Sequence, residues 1–265
     1  MKLIADNLRI TKPDIREALK KLDPEPVKTL VKTCADKGAF AIDVNTGPLG
    51  KNPEADMRFF IEAVESVTDL PLLIDTTNPR AMRAGLEAAK NRAIINGFSL
   101  EPVKLKKILP LAREFNADIV GFLLYPDSRV PKTEAERFEI SLELMDRAEA
   151  AGVAKERVII DPIVPPLVWE DGIAQARSVL NMIRALPELL GFSIKTIGGI
   201  SNLCTGAKDK GKRRLLEQNY VAMLASAGLS FALMDILDTE LVRSARAAGI
   251  LAKAEIFSWG MVPED

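Results

Sequence analysis

Apolar and polar positions along the chain form two alternating kinds of block, short apolar runs and longer stretches with helical spacing. The run at 71–75, Pro-Leu-Leu-Ile-Asp, is the clearest of the first kind. A short apolar run bounded by turn signals is typical of a strand buried on both faces. The Asn78-Pro79 pair that follows is a typical helix start, with Asn as the N-cap and Pro at the first helical position. We therefore predict a strand that ends at Asp75 and a helix that Asn78 caps, which leaves Asp75 without a capping role.

This strand-and-helix pattern occurs eight times along the chain. The predicted strands cover 2–5, 39–42, 71–74, 93–95, 118–124, 157–160, 191–197 and 230–234. The predicted helices begin near Thr11, Pro24, Asn52, Asn78, Ser99, Glu134, Asp171, Lys212 and Asp238. Ser99 is the expected cap of its helix, and Ile173 is among the side chains expected to face the core.

The order of these elements predicts the fold. Strands that alternate with helices predict a parallel sheet, and eight such units in about 250 residues are the number found in a closed (β/α)8 barrel, the TIM barrel. An open doubly wound sheet is disfavoured because no Gly-x-Gly-x-x-Gly turn follows the first strand. No linker or change in composition divides the chain. We expect an α/β protein with a single TIM-barrel domain over residues 1–265.

Charge and hydropathy narrow the class of partner. The chain has 36 basic and 37 acidic residues, so its bulk charge gives no reason to expect nucleic acid or an anionic membrane as a partner. The first ten residues lack the apolar core of a signal peptide, and no apolar run reaches the roughly 18 residues of a spanning helix. We expect a cytoplasmic protein.

The residue types that the chain lacks narrow the chemistry. It has no histidine and only two cysteines, Cys34 and Cys204. This excludes Ser–His and Cys–His nucleophile pairs and makes a zinc site unexpected. We expect no metal to be bound by this chain, and we expect its chemistry to come from carboxylates, amides, hydroxyls or lysine.

Polar residues stand where the predicted strands end. The set comprises Asp6, Asp43, Asn45, Asp75, Asn96, Asp161, Ser201, Asn202 and Asp235. The carboxyl ends of the strands form the active site of a TIM barrel, although Asp and Asn after a strand are also common helix caps and turn formers. Asp75 and Asn96 have separate caps nearby, and Asp161 lies about ten residues before its helix, so we assign these three to a site.

Other members of the set have structural alternatives. Asp43 and Asn45 either reach the site or brace the Thr46-Gly47-Pro48 turn, and Asn96 with Gly97 also fits a plain turn. Asp6 and Asp235 fit a structural role better than a place in the site. Outside the set, Cys204 is expected to be a bystander. The basic run at 208–214 is either a solvated face or a contact for an acidic ligand tail or an acidic partner.

Carboxylates and amides that face one cavity favour a flat heterocycle with several N–H donors. A carboxylate can accept two parallel N–H bonds from an amidine-like edge, and an amide can both donate and accept. Gly198 and Gly199, after the seventh strand, are either a weak sign of a phosphate cradle or a place where a ring lies close to the backbone.

Four motifs resemble those of a known family. They stand at 73–78 (Leu-Ile-Asp-Thr-Thr-Asn), 91–96 (Asn-Arg-Ala-Ile-Ile-Asn), 159–162 (Ile-Ile-Asp-Pro) and 199–202 (Gly-Ile-Ser-Asn). Together they resemble the pterin-binding methyltransferases that act on methyltetrahydrofolate and a corrinoid protein, and the resemblance extends over nearly the whole chain. The chain departs from that family at 6–9, where Asp-Asn-Leu-Arg replaces Glu-Arg-Ile-Asn, and in a longer loop at 203–213.

The resemblance implies a role for each site residue. Asp75, Asn96 and Asp161 would hydrogen-bond the pterin ring. The same pterin site would include Gly199, Ser201, Asp43 and Asn45. Asn202 would lie near N5, the nitrogen that carries the methyl group, and would be the catalytic residue. The resemblance also implies methyltetrahydrofolate or tetrahydrofolate as substrate, a corrinoid (cobalamin) carried by a partner protein, and a homodimer.

Three other readings of the sequence remain. Dihydropteroate synthases share the barrel and the pterin pocket, but they typically carry Ser-Arg-Lys after the seventh strand, where this chain has Ile-Ser-Asn-Leu at 200–203. A non-catalytic subunit that binds a pterin or a corrinoid protein is the second alternative. A metal-dependent aldolase is the third.

Overall fold

Eight parallel strands pair in chain order and close into a barrel. The structure is a computed structural model that describes residues 1–47, 51–253 and 256–262. The strands are β1 (Lys2–Arg9), β2 (Ala41–Asn45), β3 (Leu72–Asp75), β4 (Ala93–Phe98), β5 (Asp118–Phe122), β6 (Val158–Asp161), β7 (Lys195–Gly199) and β8 (Phe231–Met234). The last strand, β8, pairs with β1 and completes the ring. The predicted single-domain (β/α)8 barrel is confirmed, while the extension of that domain over all of 1–265 stays a prediction.

Helices connect consecutive strands around the barrel. They are α1 (Pro13–Lys21), α2 (Glu25–Asp36), α3 (Pro53–Glu65), α4 (Pro79–Ala88), α5 (Pro102–Lys107), α6 (Leu109–Glu114), α7 (Glu134–Ala150), α8 (Gly172–Leu190), α9 (Lys210–Ala227) and α10 (Thr239–Leu251). The side-chain oxygen of Asn78 accepts from the backbone N–H of Arg80 at 2.9 Å and of Ala81 at 3.3 Å, so Asn78 caps α4 as predicted. No helix in the described parts of the chain is long and apolar enough to cross a membrane.

Several predicted strand boundaries are wrong. β1 continues past Asp6 to Arg9, and its pairing with β2 shifts between Ala5 and Leu8. β2 begins two residues later than predicted, and β4 runs on to Phe98. Gly191 does not begin β7, because it has φ 72° and ends α8 in the left-handed conformation that glycine favours.

Two predicted side-chain roles are also wrong. Glu101, not Ser99, holds the N-cap position of α5, and the Ser99 hydroxyl instead accepts from the backbone N–H of Glu101. Ile173 lies in the first turn of α8 and is 70% exposed, although the other apolar side chains predicted for that helix are buried. The helical spacing therefore predicts the buried face of α8 correctly from Ala176 onward, but not in its first turn.

The barrel interior is filled by one apolar side chain from each strand. This plug consists of Ile4, Ala41, Leu73, Ile94, Val120, Ile159, Ile197 and Phe231. A larger apolar layer joins the outer faces of the strands to the helices. Because strand side chains alternate between the two faces, the next inward position on every strand is two residues further on. Those positions form the layer directly above the plug.

The opposite end of the barrel carries an ion-pair cluster. The buried carboxylate of Asp118, the first residue of β5, pairs with Arg92, with Arg157 at 3.3 Å and with Lys195 at 4.0 Å. The three cations belong to the amino ends of β4, β6 and β7. One carboxylate therefore links the four neighbouring strands β4 to β7 at the amino end of the barrel.

Candidate functional site

The layer above the plug forms a pocket at the carboxyl ends of the strands. Two residues beyond the plug stand Asp6, Asp43, Asp75, Asn96, Phe122, Asp161, Gly199 and Leu233, one from each strand, and all eight line this pocket. Asn45, Ser201, Asn202 and Arg9 complete its wall, and its volume is about 340 Å³. Every residue that the sequence assigned to the site therefore lines one cavity. Their role in binding stays a prediction.

Asp43 and Asp75 form a carboxylate pair on one side of the pocket. Asp43 is 1% exposed, and its Oδ1 has no hydrogen-bond partner within the described residues. Burial raises the pKa of Asp43 well above its ordinary range, and the nearby Asp75 carboxylate raises it further. Burial likewise raises the pKa of Asp75 to about 6, although a hydrogen bond from Asn96 and the charge of Arg9 oppose that shift. An unpaired buried oxygen at this place favours a ligand that supplies an N–H or O–H donor.

Asn45 both reaches the pocket and braces the turn that follows it, the two alternatives that the sequence left open. Its Nδ2 donates to Oδ2 of Asp75 at 2.6 Å, and its Oδ1 accepts the backbone N–H of Gly47 at 3.1 Å. It therefore braces the turn and orients a pocket carboxylate together. Pro48, the third residue of the predicted turn, lies outside the described residues.

Asp161 stands across the pocket and is held by the turn that follows it. The backbone N–H of Ile163 donates to its Oδ1 at 2.8 Å. Ile163 has φ 64°, a left-handed conformation that a β-branched residue rarely adopts. Burial raises the pKa of Asp161 to about 7. A carboxyl group with this pKa is ready to ionise when a ligand offers it donors near neutral pH.

Asn202 lies at the pocket mouth in a short 3-10 turn, Ile200–Asn202, that continues from β7. A Cβ built on Gly199 would lie 3.1 Å from Nδ2 of Asn202. Glycine at this position thus lets the amide of Asn202 lie close over the end of the strand. The uncharged amide reaches the rim of a pocket whose floor is largely carboxylate.

Sequence reasoning missed the apolar pocket residues Phe122, Ile197 and Leu233 and the basic residue Arg9. The Arg9 guanidinium pairs with Asp6 and approaches the Ser201 hydroxyl at 3.5 Å, while that hydroxyl lies 3.4 Å from the Asp6 carboxylate. Asp6, which the sequence assigned to a structural role, is therefore part of the pocket wall. The signal for Arg9 was the apolar Leu8 just before it, which extends the strand beyond Asp6.

The remaining candidates lie outside this pocket. Asp235 accepts from Nδ2 of Asn7 at 2.6 Å and from the backbone N–H of Leu237, which is the structural role expected for it. Cys204 is buried, with its Sγ 3.7 Å from the carbonyl oxygen of Arg213. In the basic run, Arg213 pairs with Glu217 and Arg214 with Asp238, and Asp209 caps α9. The run is therefore partly neutralised by its own neighbours.

The family of the chain follows from its sequence profile. The profile of the pterin binding enzymes matches residues 10–235, which carry β2 to β8 and the pocket residues from Asp43 to Leu233. The chain belongs to the pterin-binding enzyme family. The resemblance drawn from the four motifs is thereby confirmed.

Individual relatives of this pterin-binding enzyme include methyltransferases. The chain is 24% identical over 240 residues to a methylcorrinoid:tetrahydrofolate methyltransferase of Eubacterium limosum, an alignment that covers 89% of this chain and 85% of that protein. It is also 24% identical over 231 residues to the methionine synthase of Mycobacterium leprae, which covers 83% of this chain but 19% of the synthase. The first of these relatives is a methyltransferase, the class of enzyme that the sequence predicted.

Solved structures of the family share the fold. A dihydropteroate synthase of Coxiella burnetii in complex with pteroic acid superposes with a TM-score of 0.70 at 16% identity, covering 96% of this chain and 94% of that one. At this identity the likeness concerns the barrel alone. No cluster of acidic or cysteine side chains suited to a metal ion occurs among the described residues. The expected absence of a metal stays a prediction, as do the homodimer and the cytoplasmic location.

Proposed function

We propose that this pterin-binding enzyme moves the N5-methyl group between methyltetrahydrofolate and the cobalt of a corrinoid protein. The observation that carries the proposal is the arrangement of one pocket, with Asp75, Asn96 and Asp161 on its floor and Asn202 at its mouth. The first three suit a pterin ring, and the fourth suits the nitrogen at which the reaction occurs. The E. limosum relative, which covers most of the chain, supports the choice of reaction.

The floor suits the pterin because its acceptors match the N–H donors of the ring. Two carboxylates with raised pKa values, Asp75 and Asp161, become better acceptors when the ring supplies N–H groups, because charge-assisted hydrogen bonds favour the ionised form. The Asn96 amide, paired with Asp75 along the β3–β4 ladder, can donate to a ring oxygen or accept from a ring N–H. The unpaired Oδ1 of Asp43 offers one more acceptor.

The reaction is a displacement at the methyl carbon. Cobalt(I) supplies the electron pair that forms the cobalt–carbon bond, the bond from carbon to N5 breaks, and its electron pair stays on N5. The products are methyl-cobalt(III) and, after N5 takes a proton from water, tetrahydrofolate. The reverse reaction passes through the same transition state.

Asn202 would assist by donating a hydrogen bond to N5 as that nitrogen gains electron density. An amine is a poor leaving group unless a donor or a proton stabilises it, and an amide donor does so without titrating. Loss of one such donor typically lowers the rate by about 10²–10³. A neutral amide is also a donor available to a chain without histidine.

The test follows the cobalt spectrum. Mixing this chain with methyltetrahydrofolate and a corrinoid protein in the cobalt(I) state should convert the cobalt(I) spectrum to that of methyl-cobalt(III). Asn202→Ala should slow this conversion by about 10²-fold or more while the dissociation constant of methyltetrahydrofolate changes by less than about 3-fold. Asn219→Ala is the matched control, because Asn219 is an exposed amide on α9 that bonds only its own helix, at Leu215.

Each outcome distinguishes one reading from another. Binding of methyltetrahydrofolate without any spectral conversion would support the non-catalytic subunit instead. Condensation of a pterin diphosphate with 4-aminobenzoate would support a dihydropteroate synthase. An Asn202→Ala variant as fast as the Asn219→Ala control would remove Asn202 from the mechanism.

A further inference from the structure

The guanidinium of Arg137, on α7, is fully buried yet makes no hydrogen bond to a carboxylate in the described part of the chain. Its exposure is 0%, and it is the largest fully buried side chain among the described residues. Its donors go to three neutral acceptors: the Pro162 carbonyl oxygen at 3.3 Å, Oγ of Ser178 at 3.1 Å and Oε1 of Gln175 at 3.3 Å. Burying a cation is costly unless its surroundings compensate. A cation kept in such a place is expected to perform a task that an apolar side chain would not.

The Pro162 contact shows what that task is. The carbonyl of Pro162 and the N–H of Ile163 belong to one peptide group, which is planar and, being trans, points its oxygen and its hydrogen in opposite directions. Arg137 holds the oxygen, and Asp161 accepts the N–H at 2.8 Å. The same peptide plane is therefore fixed from both sides, with a buried arginine on one and a pocket carboxylate on the other.

The turn needs such support because its backbone is strained. Ile163 has φ 64°, and a β-branched residue in the left-handed region costs roughly 1–3 kcal/mol unless its surroundings hold it there. Without the bond to Pro162, the peptide is free to rotate toward an unstrained conformation, and the Ile163 N–H then leaves Asp161. The carboxylate loses the donor that sets its direction in the pocket.

We propose that Arg137 is a positioning residue for Asp161. It acts through the Pro162–Ile163 peptide and touches no ligand itself. The Gln175 and Ser178 contacts anchor the guanidinium to α8, so that α7, α8 and the loop after β6 keep one geometry. The effect on catalysis rests on the proposed function, because it requires that Asp161 bind the pterin, whereas the effect on the turn does not.

The experiment compares Arg137→Met with Ser178→Ala. Methionine keeps much of the volume but donates to nothing, whereas Ser178→Ala removes one anchor and leaves the Pro162 contact in place. Three quantities are measured: hydrogen exchange at the Ile163 amide, and KM and kcat for methyltetrahydrofolate. Arg137→Met should speed the exchange and raise KM, each by about 10-fold or more, with kcat within about 3-fold of the parent because Asn202 is untouched. Ser178→Ala should leave all three quantities within about 2-fold of the parent.

The outcomes separate this proposal from the function itself. A folded Arg137→Met variant with parental exchange and parental KM would overturn it, and so would a Ser178→Ala variant that matches Arg137→Met in both. If Arg137→Met does not fold, Arg137→Gln is measured in its place, because glutamine is too short to serve all three acceptors, and parental exchange at Ile163 would again refute the role. If the parent protein binds no methyltetrahydrofolate, the proposed function fails, while the exchange data still decide the role of Arg137.

Discussion

Replacing Asp161 by asparagine should stabilise the free protein. Burial raises the pKa of Asp161 to about 7 from an ordinary value of 3.8. The folded state therefore holds this proton at pH values where the unfolded state has lost it. As a result, ionisation lowers the free energy of unfolding as pH rises from about 4 to about 7, and the loss stays constant above that range. Asparagine has no proton to lose, so the variant avoids this loss.

The size of the gain follows from the pKa difference. A difference of about three pH units at ~1.4 kcal/mol per unit gives a ceiling of about 4 kcal/mol. Asp161 opens onto the pocket and is half-buried, so water screens part of its charge and we expect a gain of about 1–2 kcal/mol at high pH. The amide oxygen of asparagine can still accept the Ile163 N–H, so the turn should persist.

Urea unfolding of the parent and the variant at about pH 4.5, 6 and 8 measures this gain. The advantage of Asp161→Asn should be small at the lowest pH and should grow through the middle of the range. Asp69→Asn is the control, because Asp69 is an exposed aspartate in the loop before β3, and its effect should not follow this course. A gain that does not change with pH, or a loss at pH near 8, would refute the reasoning.

The same substitution should weaken the binding of the proposed substrate. A neutral amide forms hydrogen bonds about half as strong as those of a carboxylate, so we expect methyltetrahydrofolate to bind about 10-fold or more weakly. Calorimetric titration at about pH 8, where the parent carboxylate is ionised, measures this. A variant that is more stable but binds methyltetrahydrofolate more weakly is what we expect if Asp161 serves binding at a cost in stability.

Three further predictions concern the pocket and the barrel. The affinity of the parent for methyltetrahydrofolate should rise by about 10-fold or more between pH 5 and pH 8, because ring N–H donors favour ionised Asp75 and Asp161; in calorimetry, a flat profile would mean that binding does not depend on their ionisation, and a falling one that they bind in their protonated form. Gly199→Ala should slow methyl transfer by about 10-fold or more with little change in the affinity for methyltetrahydrofolate, because the added methyl group displaces the Asn202 amide. In the same assay the control Gly249→Ala, on α10, should keep the parental rate, because a Cβ there meets no side chain. Asp118→Ala should lower the free energy of unfolding by about 2 kcal/mol, because three cations lose their shared carboxylate, whereas loss of the exposed pair in Asp127→Ala should matter much less in the same denaturant titration.

The sequence predicted the site best where a polar residue at a strand end was not needed to cap a helix. Asp75 stood out because Asn78 already capped the next helix, and Asp161 because its helix begins far downstream. A strand end is a topological position, and parallel strands bring such positions together however far apart they lie in the chain. That is why single-residue patterns sufficed to identify most of the pocket wall.

The sequence failed where a boundary depended on backbone conformation or on pairing. The pairing of β1 with β2 shifts between Ala5 and Leu8, and the single apolar residue Leu8 was too weak a signal to predict that the strand continues to Arg9. Gly191 belongs to an apolar stretch, and its left-handed φ distinguishes a helix end from a strand start. The hydrogen bond from Arg137 to the Pro162 carbonyl oxygen joins residues 25 positions apart, and no periodicity in the sequence predicts such a contact.

The plug beneath the pocket has a consequence for the order of the proposed reaction. Eight apolar side chains close the barrel below the carboxylates, so in the proposed reaction the folate would enter and leave through the mouth, where Asn202 lies. A corrinoid protein that docks on that mouth to reach the methyl group would also block the exit of the folate. The folate must then arrive first and depart last in each turnover, and excess corrinoid protein that docks on the empty enzyme should inhibit it by blocking the entrance.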